Sequence, residues 1–587
     1  MTGEHVLPWR VMTLWQQIDG DVLFTHEPTI ITSSDMLNPR PDSALGRFVD
    51  YLVKIGINAL DIRYFTDKQR PAMASFATYL KSKGIRLLVQ HQWTELENGE
   101  LIWLPLRNED LHRKSPLLCP FSATVRQFWK DQVAKDAKEM PDFGGYSFGI
   151  TTEHFMSNGA PWMCDCDQCR AVTRRERLIE ALNYLGGLLA QRDGILVWNS
   201  HQDDPWGQHD EIDLFSDLAG HLPDNVAVMF SDLYWDQEPG WPRNPMYNHL
   251  KSATTGRAPY LIRLQLPGQY RGMHLFPGSM VEDWAQTFGS IRRLRLSGVW
   301  IQAFVNRTEW DHPWNMAHWE AIGRYVCDPE AEPNQIMIDW ATQAYGADVA
   351  PTVVKILKLS YPASIKMFMC EGLMATAKSQ MASLTYMDSH LCGPFRNAPR
   401  VEGQIGLGFP LDMYPPQQAE QIKANPQTRL LFGKESISPQ VKTRVLAEKD
   451  EAIDLIDQMI DLWESLSGKI DPSDHAVMLK RLRGNRVDAQ VFKASLDLYL
   501  DLKLGVLTNH RIDEIISEFE GLHGEIIPDP SGPPPTDRRC AEDDITRNLR
   551  SFAEELRREL NDPWLDDYFK SNPLRSGCLP EPPELDA

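Results

Sequence analysis

No apolar run in the sequence approaches the ~18 residues that a membrane-spanning helix needs, so nothing in it reads as a membrane span. The opening MTGEHVLPWRVMTLW lacks a basic segment followed by an apolar one, and so reads as carrying no secretion signal. Positive charge is in short supply: 60 Lys and Arg face 81 Asp and Glu, for a net charge of -21. An acidic surface of that size repels nucleic acid and anionic membranes, and neither is expected as a partner. No histidine cluster falls at the strand ends identified below, which argues against a His-ligated metal hydrolase. The first apolar run is followed by WQQIDGD rather than by a glycine-rich phosphate loop, which argues against an open dinucleotide-binding sheet. No internal repeat is found. The expected setting is cytoplasmic, where nine cysteines do not build a disulfide framework. No organic cofactor is expected.

What is present is ordinary globular composition, 42% hydrophobic and 24% charged. At 587 residues the chain is too long for one core, so two or more domains are expected. Tryptophan is abundant, with 18 residues, many in segments rich in Asp, Asn, His and Gly. Aromatic faces stack on sugar rings while carboxylates and amides bond their hydroxyls, although most buried tryptophans simply fill a core.

Eight short β-rich runs recur between helical patterns: 10–15, 59–65, 86–92, 145–150, 194–200, 226–232, 259–266 and 297–304. Several follow glycine-bearing turns such as KIGIN, SKGIR and DFGG, which end a helix and start the next strand. Strands alternating with helices imply a parallel sheet, and eight of them over about 300 residues imply a closed barrel. The fold class is therefore α/β, a (β/α)8 TIM barrel over 8–330 followed by an α-helical C-terminal domain over 331–570. In the latter, Ile453, Ile456, Ile460 and Trp463 fall on one helical face, and 473–520 reads as a second long helical stretch. The Pro/Glu-rich tail, 571–587, is expected to be loosely held.

In a barrel the site lies on the loops that leave the strands' C-terminal ends. The residues there are Trp15 and Asp19 after the first strand, Arg63 at the second, His91 and Trp93 at the third, and Glu153 and His154 after the fourth. Asn199 and His201 follow the fifth, Asp232 and Asp236 the sixth, Gln269 and Tyr270 the seventh, and Asn306 and Arg307 the eighth. This ring suits a sugar. Glycoside hydrolysis needs a proton donor at the leaving oxygen and a second carboxylate that attacks the sugar or activates water. Glu153 and Asp236 are placed for those tasks.

Cys164, Cys166 and Cys169 form a C-x-C-x-x-C cluster after the fourth strand, and Cys119 lies 45 residues earlier, after the third. Four thiolates close a tetrahedral zinc site with no position left for water, so a structural Zn2+ is expected here.

At these residues the chain resembles the α-glucuronidases of glycoside hydrolase family 67. WRVMTLWQQIDG is similar to that family's first barrel strand, and MPDFGGYSFGITTEH to the strand that ends in its catalytic acid, which falls on Glu153. DNVAVMFSDLYWDQEP resembles the segment with its water-activating aspartate, falling on Asp236. LIRLQLPGQYRG resembles the segment with a second carboxylate near that water, where this chain has Gln269. HPWNMAHWEAIGRYVCDPEAEPNQIMIDWATQAYG resembles the exit from the barrel. The likeness covers roughly residues 9–400. It implies lysines for the sugar's carboxylate at two positions, and this chain has Gly149 and Ser231 there; Arg63, Arg263 and Arg271 are candidate substitutes. The cysteine set resembles instead the zinc site of family 42 β-galactosidases. That family's nucleophilic Glu after strand 7 has no counterpart, because 259–281 contains no Glu or Asp.

The resemblance implies an inverting, exo-acting hydrolase of a small α-linked oligosaccharide, with Glu153 as acid and Asp236 as base, about 6.5–9.5 Å apart. A homodimer is the assembly it suggests. Two other readings stay open. One is a glycosidase for a neutral sugar, galactosidase-like in specificity. The other is a carbohydrate-binding barrel without catalysis, motivated by Gln269.

Overall fold

The computed structural model describes residues 7–14, 22–24, 30–62, 69–91, 94–97, 100–103, 119–151, 166–201, 215–233, 243–244, 246–250, 256–265, 278–303, 314–374, 384, 416–431, 436–520 and 545–564. Its centre is a closed barrel of eight parallel strands. They are β1 (Trp9–Leu14), β2 (Ala59–Ile62), β3 (Arg86–His91), β4 (Gly145–Thr151), β5 (Ile195–His201), β6 (Val226–Ser231), β7 (Ala258–Gln265) and β8 (Leu296–Ala303). Each strand pairs with its sequence neighbours, and β8 closes on β1 with Val11 opposite Trp300. All eight expected strands are present, with ends shifted by three residues at most.

Helices connect the strands where the sequence supplies stops and starts. Helix α1 (Ala44–Lys54) is capped by Ser43, whose hydroxyl accepts from the Gly46 N–H. Helix α2 (Arg70–Ser82) starts with proline in its first turn. Helix α3 (Ala123–Glu139) is capped by Ser122, and a four-residue helix α4 (Asp167–Arg170) precedes α5 (Arg174–Ala190), which begins with a Thr173–Glu176 capping box. Helices α6 (Val281–Leu294) and α7 (Asn315–Cys327) complete this unit. Gly145 opens β4 with φ 135, and a Cβ there would sit 1.9 Å from the Ile195 carbonyl oxygen, so only glycine lets β4 and β5 close up. Asp136 of α3 accepts from the Tyr146 hydroxyl at 2.7 Å and pairs with Arg70, which ties α2 and α3 to β4.

Val11, Ala59, Leu88, Ile195, Val197, Ala227, Met229, Leu261 and Trp300 form one buried cluster inside the barrel. Each fully buried side chain of this kind contributes about 1.5–3 kcal/mol. Eight tryptophans among the described residues are core: Trp129, Trp198, Trp284, Trp300, Trp314, Trp319, Trp340 and Trp463. These eight serve packing.

The chain separates into two compact units, the first reaching Ile336 and the second running from Met337, with the short segments 236–243 and 267–280 grouped in the second. The second unit is helical: α8 (Pro333–Tyr345, beginning in the first unit), α9 (Ala350–Phe368), α10 (Pro416–Ala424), α11 (Pro439–Glu464), α12 (Pro472–Leu504), α13 (Asn509–Glu520) and α14 (Ile545–Asn561). On α11, Ile456, Ile460 and Trp463 are buried as expected, while Ile453 is half-buried and Ala452 and Met459 complete the face. The helical stretch expected over 473–520 consists of two helices, divided where Gly505 adopts a left-handed φ of 70 that caps α12. The tail 571–587 lies outside the described residues. Among the described residues, no helix is long and apolar enough to cross a membrane.

Candidate active site

Strand alternation fixes what the barrel presents to its own interior. The apolar cluster occupies inward positions on seven of the strands, and Gly145 of β4 stands in register with Leu88 of β3. Two residues further toward the C-terminal end, the inward positions turn polar: Thr13 on β1, Asp61 on β2, Gln90 on β3, Ser147 on β4, Ser231 on β6, Arg263 on β7 and Gln302 on β8. The register agrees, with Thr13 opposite both Asp61 and Gln302, Gln90 opposite Ser147, and Ser231 opposite Arg263. Asn199 and His201 fall in the same alternate series of β5 as Val197.

The seven side chains from Thr13 to Gln302 are deeply buried, from 0% to 4% exposed. Among the described residues, Thr13 Oγ1, Gln90 Oε1, Ser147 Oγ, Ser231 Oγ and Gln302 Nε2 make no hydrogen bond. A buried polar atom without a partner costs about 1–3 kcal/mol. A ring of such atoms, at the end of the barrel where chemistry resides, is arranged to meet a polar ligand. The same tier of the barrel also holds a guanidinium and a carboxylate, Arg263 and Asp61, so that charged groups stand beside the neutral donors and acceptors. None of Thr13, Asp61, Gln90, Ser147 and Gln302 was singled out from sequence; reading every second residue of each strand would have found them.

Asp232, expected in the sugar-binding ring, has another task. It lies one residue past the inward Ser231 and therefore faces outward. It is fully buried, with Oδ1 accepting from the Tyr247 hydroxyl at 2.7 Å and Oδ2 from the Thr287 hydroxyl of α6 at 2.8 Å. Asp232 thus pins the end of β6 to α6. Asp232→Ala is expected to lower stability by about 2 kcal/mol or more, since two buried hydroxyls lose their acceptor. Thermal unfolding checks this; a variant as stable as the parent but weakened in sugar binding would return Asp232 to the site.

His91 ends β3 one residue past inward Gln90, with Phe148 as its register partner. Trp15, Asp19, Arg63, Trp93, Glu153, His154, Asp236, Gln269, Tyr270, Asn306 and Arg307 lie outside the described residues, as does Arg271. Of the three arginines considered as substitutes for the lysines, Arg263 is the one the structure describes. It is 1% exposed and stands beside Ser231, one of the two lysine positions.

Of the four expected zinc ligands, Cys119, Cys166 and Cys169 come together, with sulfurs all within 4.8 Å of one another. Cys164 lies outside the described residues.

Residues 7–321, more than half of the chain, match the family model for the glycosyl hydrolase family 67 middle domain. A probable alpha-glucuronidase A of Aspergillus clavatus is 21% identical over 544 residues, covering 82% of this chain and 60% of that protein. An alpha-glucuronidase of Hypocrea jecorina is 20% identical over 274 residues, 42% of this chain and 30% of the other. The chain thus spans 60% or less of the length of these relatives. Among solved structures, a family GH115 4-O-methyl-alpha-glucuronidase with specificity for decorated arabinogalactans aligns at TM-score 0.47 and 12% identity, over 93% of this chain and 62% of the other.

Proposed function

Because the chain belongs to glycosyl hydrolase family 67, we propose that it is an exo-acting glycoside hydrolase that inverts configuration as it releases an α-linked uronic acid from a small oligosaccharide. The observation that carries this reading is the buried polar floor of the barrel with Arg263 in it. Ser231 leaves out one lysine that the family resemblance implies, and Arg263 supplies a permanent positive charge from the adjacent strand, in direct register. A planar guanidinium matches a carboxylate bidentately, so the exchange moves the cation without losing the recognition. The alpha-glucuronidase relatives support the same substrate class.

In this reading Glu153, two residues past the end of β4, protonates the leaving oxygen. Asp236, five residues past the end of β6, takes the proton of the attacking water, and Gln269 holds that water without accepting its proton. The remaining floor residues bond sugar hydroxyls. The many cysteines suit a reducing compartment, so a cytoplasmic location belongs to the same reading, as does self-association into a homodimer.

A second reading, a neutral-sugar hydrolase, is favoured by Gly149 and Ser231 together, since both lysine positions lack charge. The stereochemistry tests the mechanism in either case. Proton NMR during turnover of an α-linked substrate is expected to show the β-anomer of the released sugar first. The α-anomer appearing first would mean a covalent intermediate and a carboxylate nucleophile, and the inverting assignment would fall.

A further inference from the structure

We propose that Cys119, Cys166 and Cys169 bind a structural zinc ion that staples together the connections leaving β3 and β4. The inference is independent of the glycosidase reading. It rests on where three sulfurs stand. Cys119 lies three residues before the cap of α3, on the chain that follows β3, while Cys166 and Cys169 lie on and beside α4, after β4. The two connections belong to adjacent barrel strands. They meet sulfur to sulfur: Cys119 Sγ is 3.5 Å from Cys166 Sγ and 3.6 Å from Cys169 Sγ.

These separations exclude a disulfide and are those a shared metal ion requires. A disulfide requires sulfurs at about 2.05 Å. Tetrahedral zinc with Zn–S bonds of about 2.3 Å puts its ligand sulfurs about 3.8 Å apart. The observed spacings lie close to the second value. The Cys169 N–H also donates to Cys166 Sγ at 3.4 Å, which caps α4 and fixes that sulfur beside Cys169. Cys169 is fully buried, so the ion would be shielded from water on that side. Three thiolates leave one position of a tetrahedron. Cys164 is two residues from Cys166, and two trans peptide steps span at most about 7.6 Å, so the chain keeps it within reach as the fourth ligand. Soft thiolate donors in tetrahedral array select zinc over the hard cations that carboxylates prefer. A site closed by four sulfurs has no open position for substrate, so its work is mechanical. It holds the ends of 120–165, the stretch that carries β4 and Glu153.

The test is elemental analysis of the purified full-length protein, together with Cys119→Ser, Cys166→Ser, Cys169→Ser, Cys164→Ser and, as control, Cys327→Ser. About one zinc per chain is expected in the parent and the control, and under a tenth of that in each of the four site variants. Should a site variant fail to fold, the parent itself decides. Chelation is expected to lower its unfolding midpoint by at least about 5 °C, and cobalt substitution to give thiolate-to-cobalt charge-transfer bands. Iron in place of zinc, zinc retained in the Cys166→Ser protein, or a native mass short by two hydrogens, the mark of a disulfide, would each overturn the proposal.

Discussion

Arg263→Met is expected to lower kcat/KM toward an α-linked glucuronosyl substrate by about 10²–10³-fold, while leaving the matched α-glucosyl substrate unaffected or improved. The size follows from the environment. Arg263 is 1% exposed in the barrel interior, where a charge-assisted bond to a carboxylate is barely screened. Truncating one partner of such a buried pair costs about 3–4 kcal/mol, which is two to three decades in affinity. Methionine keeps the length of the stem and removes the charge, so the floor keeps its packing. Steady-state kinetics on the two substrates, differing only at the sugar's carbon 6, separate recognition from structure. An equal loss on both would make Arg263 a brace of the floor rather than the selector of an acid.

Glu153→Gln is expected to reduce kcat by about 10²–10⁴-fold or more, the contribution typical of a positioned general acid. Glutamine is nearly isosteric, so binding should persist and KM change little. The loss should also depend on the leaving group. An aryl glycoside whose phenol leaves readily needs little protonation, and there the variant should recover much of the parent rate. That recovery distinguishes a missing acid from a distorted pocket, which would depress both substrates alike. An unchanged rate on the oligosaccharide would mean that the proton comes from elsewhere and would return the barrel to a binding role.

The barrel was legible because its strands are buried on both faces, so VAVMFS on β6 and its counterparts stand out as apolar runs without alternation. The same property hid the floor. Thr13, Gln90 and Gln302 are single polar letters inside those runs, and only the closed register shows that they share one tier of the interior. Sequence inspection looked past the strand ends, where loops begin, and so assigned Asp232 to the sugar when one step of alternation turns it to the Tyr247 and Thr287 hydroxyls. The cysteine cluster was legible in part: the C-x-C-x-x-C spacing singled out Cys166 and Cys169, and the fold sets the sulfur of Cys119 beside them. In the second unit the 3.6-residue period found α11, but it passed through Gly505, whose left-handed conformation ends α12. The hairpins Val22–Phe24 with Ile30–Thr32, and Thr94–Glu97 with Glu100–Trp103, were not foreseen, because strands of three or four residues carry too few side chains for a period to register.

The most direct measurement is hydrolysis by the unaltered protein of two α-linked oligosaccharides, one ending in glucuronic acid and the other in glucose on the same acceptor. Selective release of the uronic acid, with kcat/KM at least about 10²-fold above the glucose case, is the predicted result. Equal release of the two sugars, or release of glucose alone, would contradict it and move the enzyme to a neutral substrate.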